Sequence, residues 1–229
     1  VGIVGESGCG KTTLAKLLCG LEDIDGGSLT VADVSWPLNR MKRKQLNRSV
    51  QMVFQNPLDS FDPKIKIGKS IMEPAKNFGL SHDDAEERMI ELLRRVGLQA
   101  DYANRYPRQL SGGECQRAAI ARALLVEPRV LICDEVTSAL DVSAQAQVLQ
   151  VLRDVRDSVD SAFVFISHDI AVVESICSSV IVIHDGIVLE RGATGDVLRN
   201  PAHPQTKVLI DSVLHVGEDE YEKEAKELE

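Results

Sequence analysis

The chain has 229 residues, 44% of them hydrophobic and 27% charged, with a net charge of -9, a balance suited to one or two globular domains with a substantial core. The negative charge argues against a nucleic-acid binder that works by neutralising phosphates, and strand-sized apolar runs such as Val130 to Cys133 are far below the roughly 20 residues of a membrane-spanning helix. Five scattered cysteines, Cys9, Cys19, Cys115, Cys133 and Cys177, lack zinc-site or disulfide-framework spacing and read as reduced cytosolic thiols.

The apolar run Val1 to Val4 predicts a strand, followed by a glycine-rich turn and a helix from Lys11 to Cys19. Gly5-Glu6-Ser7-Gly8-Cys9-Gly10-Lys11-Thr12 fits the GxxxxGK[ST] phosphate loop in the context that motif requires. Its glycines let backbone N–H groups turn toward phosphate oxygens, and the helix N-terminus adds partial positive charge. Lys11 is suited to the β- and γ-phosphates, and Thr12 supplies a hydroxyl ligand for Mg2+. Leu29 to Val34 and Val50 to Phe54 read as further strands, and basic Arg40 to Arg48 between them as an exposed helix or loop.

Ile67 to Gly97 turns helical, a helical lobe in which Ala85, Met89, Leu92, Leu93 and Val96 recur on one face and acidic Asp83, Asp84, Glu86 and Glu87 crowd the first turn. Beyond Gly112 the elements alternate: helix Cys115 to Leu125, strand Val130 to Cys133, helix Ser143 to Val155 and strand Ala162 to Ile166. That alternation implies a parallel sheet. Val180 to Ile183 and Ile187 to Glu190 flank Asp185-Gly186 as a hairpin, a helix follows around Thr206 to Leu214, and Glu218 to Glu229 reads as a solvated acidic tail.

Asp134 and Glu135 end the apolar strand Val130 to Cys133, a place from which Asp134 can serve a metal and Glu135 can polarise an attacking water as general base. Leu110-Ser111-Gly112-Gly113-Glu114 resembles the LSGGQ signature of ABC ATPases. Gln55 resembles the Q-loop glutamine, Ser138 to Asp141 the D-loop, and His168 the switch histidine, in the family's order. The resemblance implies nucleotide contacts from Gly5, Glu6, Ser7, Gly8, Cys9, Gly10, Lys11, Thr12, Thr13, Gln55, Ser111, Gly112, Gly113, Glu114 and Asp141. It implies Mg2+ ligands Thr12, Gln55 and Asp134, and catalytic roles for Lys11, Glu135 and His168.

It further implies an α/β fold of the P-loop NTPase kind: a parallel sheet flanked by helices, with an inserted α-helical subdomain and a truncated N-terminal antiparallel β part. Residues 1–60 and 128–216 are the expected nucleotide-binding core, 61–127 the helical subdomain with the signature, and 217–229 the tail. ABC subunits carry strands before the phosphate loop with an aromatic that stacks on adenine. Only four residues precede Gly5 here, so weak ATP affinity is expected of this chain.

Gln51 to Pro57, Tyr106-Pro107, Thr137 to Leu149 and His203-Pro204-Gln205-Thr206 resemble the peptide and nickel importer branch. The implied protein is a peripheral ATPase at the cytoplasmic face of the membrane. Its partners would be a second ABC ATPase subunit, transmembrane permeases met through Asn56 to Pro63 and, indirectly, a solute-binding protein. Departures from the pattern are Val136 where proline is usual and Glu114-Cys115 where Gln-Arg is commoner. The alternative function is a soluble ABC ATPase acting on DNA or ribosomes, but only 55 residues separate Gln55 from Ser111, too few for a long coiled coil.

Overall fold

The computed structural model describes residues 1–211; the expected acidic tail and the end of the expected last helix lie outside the described residues. The first half of the chain forms β1 (Gly2–Val4), α1 (Lys11–Leu18), β2 (Thr30–Val31), β3 (Val34–Ser35), α2 (Arg40–Ser49), β4 (Val50–Val53), α3 (Ile67–Phe78) and α4 (His82–Arg95). The second half forms α5 (Gly112–Leu124), β5 (Val130–Asp134), α6 (Val142–Ser158), β6 (Ala162–Ile166), α7 (Ile170–Ile176), β7 (Ser179–His184), β8 (Ile187–Ala193) and α8 (Thr194–Arg199). Residues 204–211 are helical.

Backbone contacts divide the chain into two compact units, Val1–Leu14 with Val164–Glu229, and Ala15–Phe163. These divisions fall inside α1 and β6. They leave the helical segment expected at 61–127 in the same unit as β4 and β5.

In the first unit β1 pairs in parallel with β6, Gly2 opposite Phe165, and with β7, Ile3 opposite Ile181. Parallel strands covered on both faces need continuous apolar runs, which β1 supplies, all three of its residues being buried. Helix α7, not anticipated from the sequence, packs on β1; Asp169 caps it by accepting from Val172 N at 3.1 Å. The expected hairpin is present as antiparallel β7 and β8. Asp185 and Gly186, both with positive φ, form its turn.

In the second unit β4 and β5 pair in parallel from Val50–Val130 to Val53–Cys133. The single strand expected at Leu29 to Val34 is instead the hairpin β2–β3. Ala32 and Asp33 take φ of 48° and 65°, which turns the chain back after Val31, and Arg129 holds the turn through Asp33 at 2.6 Å. The basic stretch is helical, capped by Asn39, and mostly exposed apart from Leu46.

The run expected to be helical from Ile67 to Gly97 is two helices. Gly79 ends α3 in the left-handed conformation, and Ser81 starts α4 by accepting from Asp84 N at 3.1 Å. Acidic Asp83 and Asp84 at the first turn and basic Arg94 and Arg95 at the last complement the helix dipole. Helices α3, α4 and α6 and strand β4 all pack on α5, whose alanines permit close approach. Leu93 is fully buried in this layer. Leu93→Ala should cost about 3 kcal/mol, read as a lower urea midpoint with the slope of the transition unchanged.

Candidate active site

In the first unit the phosphate loop is shaped by close packing and left-handed turns. Gly5 is required by contact: a Cβ there would lie 2.1 Å from Ile183 O. Gly8 and Gly10 are required by conformation, with φ of 81° and 102° and open surroundings at Gly8. The hairpin turn backs the loop, Gly186 N donating to Cys9 O at 3.0 Å. Lys11 is buried, and its ammonium donates to Gly5 O and Glu6 O, both at 2.8 Å. Glu6, Ser7, Gly8, Thr12 and Thr13 are exposed, so the loop presents backbone, hydroxyls and a helix N-terminus to solvent.

His168 is exposed just beyond β6, where Ser167 Oγ accepts from Asp169 N at 2.9 Å and fixes the backbone. His184, which no motif marked, lies 3.9 Å from Glu6 and 3.7 Å from Asp185.

In the second unit the end of β5 delivers Asp134, buried at 4% exposure, and then Glu135 with φ of 46°. Left-handed backbone is costly for a residue with a Cβ and is held here by a local network. Gln55 Nε2 donates to Glu135 Oε2 at 3.2 Å and to Ser138 Oγ at 3.0 Å, while Ser138 Oγ donates to Glu135 O at 3.0 Å. Three residues read separately in the sequence are thus one cluster. Burial, and next the charge of Asp134, push the Cys19 thiol up to about 12. Within this unit the Gln55 carbonyl and the Asp134 carboxylate are hard oxygen donors, the kind that suits Mg2+; Thr12 in the first unit offers a hydroxyl of the same kind.

The signature motif begins α5 three residues earlier than expected, because Ser111 is its N-cap. Ser111 Oγ accepts from Glu114 N at 3.3 Å, and Glu114 Oε2 accepts from Ser111 N at 2.8 Å, a reciprocal capping box. Gly113 packs on Ala144, where a Cβ would come within 2.9 Å, and Gly112 lies against Leu140. Asp141 caps α6 by accepting from Ala144 N at 2.9 Å, and this bond first, then one from Ser143, holds its carboxyl below the usual range. Ser111 to Glu114 and Leu140-Asp141 are therefore neighbours.

The two kinds of glycine requirement can be told apart. Gly8→Ala should cost about 1–2 kcal/mol of left-handed strain, whereas Gly5→Ala forces backbone to move and should lower the thermal midpoint further; differential scanning calorimetry of both variants checks the order.

Residues 1–138 match the ABC transporter family. The chain is 43% identical to the di/tripeptide transport ATP-binding protein DppF of Pseudomonas aeruginosa over 95% of its own length and 68% of that protein. It is also 43% identical to the oligopeptide transport ATP-binding protein OppF of Salmonella typhimurium, over 93% of the chain and 65% of the relative. The chain thus spans about two thirds of the length of the curated relatives it matches. CbiO1 of Clostridium perfringens, part of the ABC transporter complex CbiONQ, superposes with a TM-score of 0.78 at 27% identity over 87% of this chain and 78% of that one. A dimeric ATP-binding cassette in a post-hydrolysis state with ADP and phosphate gives 0.74 at 28% identity, covering 84% of each chain. With its phosphate loop, its capped signature helix and these relatives, the chain belongs to the ABC transporter family.

Proposed function

We propose that this chain is the ATP-hydrolysing motor of a membrane importer for peptides or related small solutes. The observation that carries the catalytic part is the Gln55–Glu135–Ser138 cluster, a carboxylate held in left-handed backbone by an amide and a hydroxyl. Glu135 serves as the base. It takes a proton from water as the water oxygen bonds to the γ-phosphorus and the bond to ADP breaks. Lys11 and the loop amides hold the phosphates of ATP, Gln55 orients the water, and His168 contacts the γ-phosphate. Mg2+, when bound to Thr12, Gln55 and Asp134, supplies charge neutralisation at the phosphates.

The signature turn serves ATP bound to a second ATPase subunit, so two nucleotides are sandwiched in a head-to-tail pair. The dimeric post-hydrolysis cassette among the structural relatives supports this arrangement. The permease contact is the stretch Asn56 to Pro63, where Leu58 is exposed, together with a groove of about 360 Å³ lined in part by Leu21, Met52, Phe54, Glu73, Asn77 and Phe78. It takes a short helix of the membrane subunit. No helix among the described residues is long and apolar enough to cross a membrane; the peripheral place on the cytoplasmic face rests on the transport ATP-binding relatives. Peptide as cargo rests on the dipeptide and oligopeptide transport relatives.

The decisive variant is Glu135→Gln in the full-length protein with its permeases. Phosphate release should fall by about 100-fold or more while the ATP-bound dimer persists on size-exclusion chromatography. Unchanged phosphate release would remove Glu135 from the mechanism.

A further inference from the structure

Glu114 introduces a charge into the first turn of α5, the turn whose amides serve an anion under the reading above, on which this inference rests. A carboxylate placed there has two choices: it can fold over the free amides, which attract anions, and so compete with phosphate, or it can be tied elsewhere. It is tied elsewhere. Glu114 Oε2 accepts from Ser111 N at 2.8 Å, and Glu114 Oε1 accepts from the Tyr102 hydroxyl at 2.6 Å.

Tyr102 is itself firmly seated. It lies in the 3-10 turn Ala100–Asn104, with the Arg105 guanidinium stacked 3.7 Å from its ring centroid and Arg105 bonded to Asp101 at 2.7 Å. The N-terminus of α3 clamps this turn from another side. Ile67 N donates to Arg105 O at 2.9 Å, and a Cβ on Gly68 would come within 2.9 Å of Ala103.

We propose that Tyr102 is a positioning residue of the signature turn, holding the Glu114 carboxylate in its cap so that the first amides of α5 stay available to the γ-phosphate. Nothing in the motif's own five residues specifies this partner, which lies eight residues upstream of Leu110. The Tyr102 bond first, then that from Ser111 N, holds the Glu114 carboxyl below the usual range; Arg117 on α5 adds a smaller effect in the same direction. A depressed carboxyl contributes its cap above its folded pKa and loses it as pH falls through that value. Removing the tyrosine hydroxyl therefore moves the loss to higher pH. Glutamine at position 114 would keep both contacts by turning the tyrosine hydroxyl from donor to acceptor, but it would not titrate.

The test is the pH profile of ATP hydrolysis by the full-length protein, with and without Tyr102→Phe, in wild-type and Glu114→Gln backgrounds, together with 13C NMR titration of the Glu114 carboxyl. The expected result is an acid limb displaced to higher pH by Tyr102→Phe, with KM for ATP raised about tenfold on that limb, as for loss of one charge-assisted hydrogen bond. In the Glu114→Gln background the same substitution should leave the acid limb in place. An unmoved limb despite a raised Glu114 midpoint would overturn the positioning role, as would equal displacement in both backgrounds. A wild-type protein with no ATPase activity but with a Glu114 midpoint that rises on Tyr102→Phe would instead defeat the ATPase reading and leave the Tyr102–Glu114 link standing.

Discussion

A fully buried glutamine amide joins the signature helix to the end of β4 and the segment that follows it. Gln116 of α5 is 0% exposed, and its Nε2 donates to Phe54 O at 3.3 Å, immediately before Gln55. Its Oε1 is buried without a hydrogen-bond partner among the described residues, a burden of about 1–3 kcal/mol that only strong local packing sustains. The same helix holds the following segment at three more points. Cys115 Sγ lies 3.7 Å from Pro57 O, Arg122 donates to Ser60 O at 2.5 Å, and the Arg122 guanidinium covers the Phe61 ring at 4.4 Å. Burial holds Arg122 below the usual arginine range, opposed by the nearby charge of Glu73. Because α5 begins at the Ser111 cap and carries these anchors, the signature and the segment from Phe54 to Phe61 are attached to one helix.

The phosphate loop depends on a different constraint, the approach of two backbones. Ile183 O leaves no room for a side chain at Gly5, and Gly186 N takes up Cys9 O. The β7–β8 hairpin thereby limits the conformations open to the loop before any ligand arrives, which lowers the ordering cost of binding phosphate. Lys11 contributes to the same end, since its bonds to Gly5 O and Glu6 O brace the loop from within.

Much of this was legible from sequence because the chemistry is local. The phosphate loop, the strand ending in Asp134-Glu135, the signature and the Asp185-Gly186 hairpin are each specified by residues adjacent in the chain. What escaped was either short or distant. Helix α7 has only seven residues, too few for periodicity to declare itself, and the β2–β3 turn is made by Ala32 and Asp33, where glycine or asparagine would have signalled a left-handed pair. The helical pattern of Ile67 to Gly97 was legible, but its division at Gly79 into two helices was not drawn. The bonds from Gln55 to Glu135 span 80 positions, and the role of Tyr102 depends on a side chain meeting across a turn. No pattern of neighbours announces either contact, and both require the folded chain.

The thirteen residues of α5 also define a mechanical arm. From Arg122, where the segment ending at Phe61 is gripped, to Gly112 at the signature is about 15 Å along the axis. A rigid tilt of about 5° pivoting near Arg122 would carry the signature turn by about 1 Å, the scale on which misplacement alters reactivity. Any displacement of the segment ending at Phe61 that tilts α5 would therefore emerge at Ser111 as movement, with no unfolding of the helix.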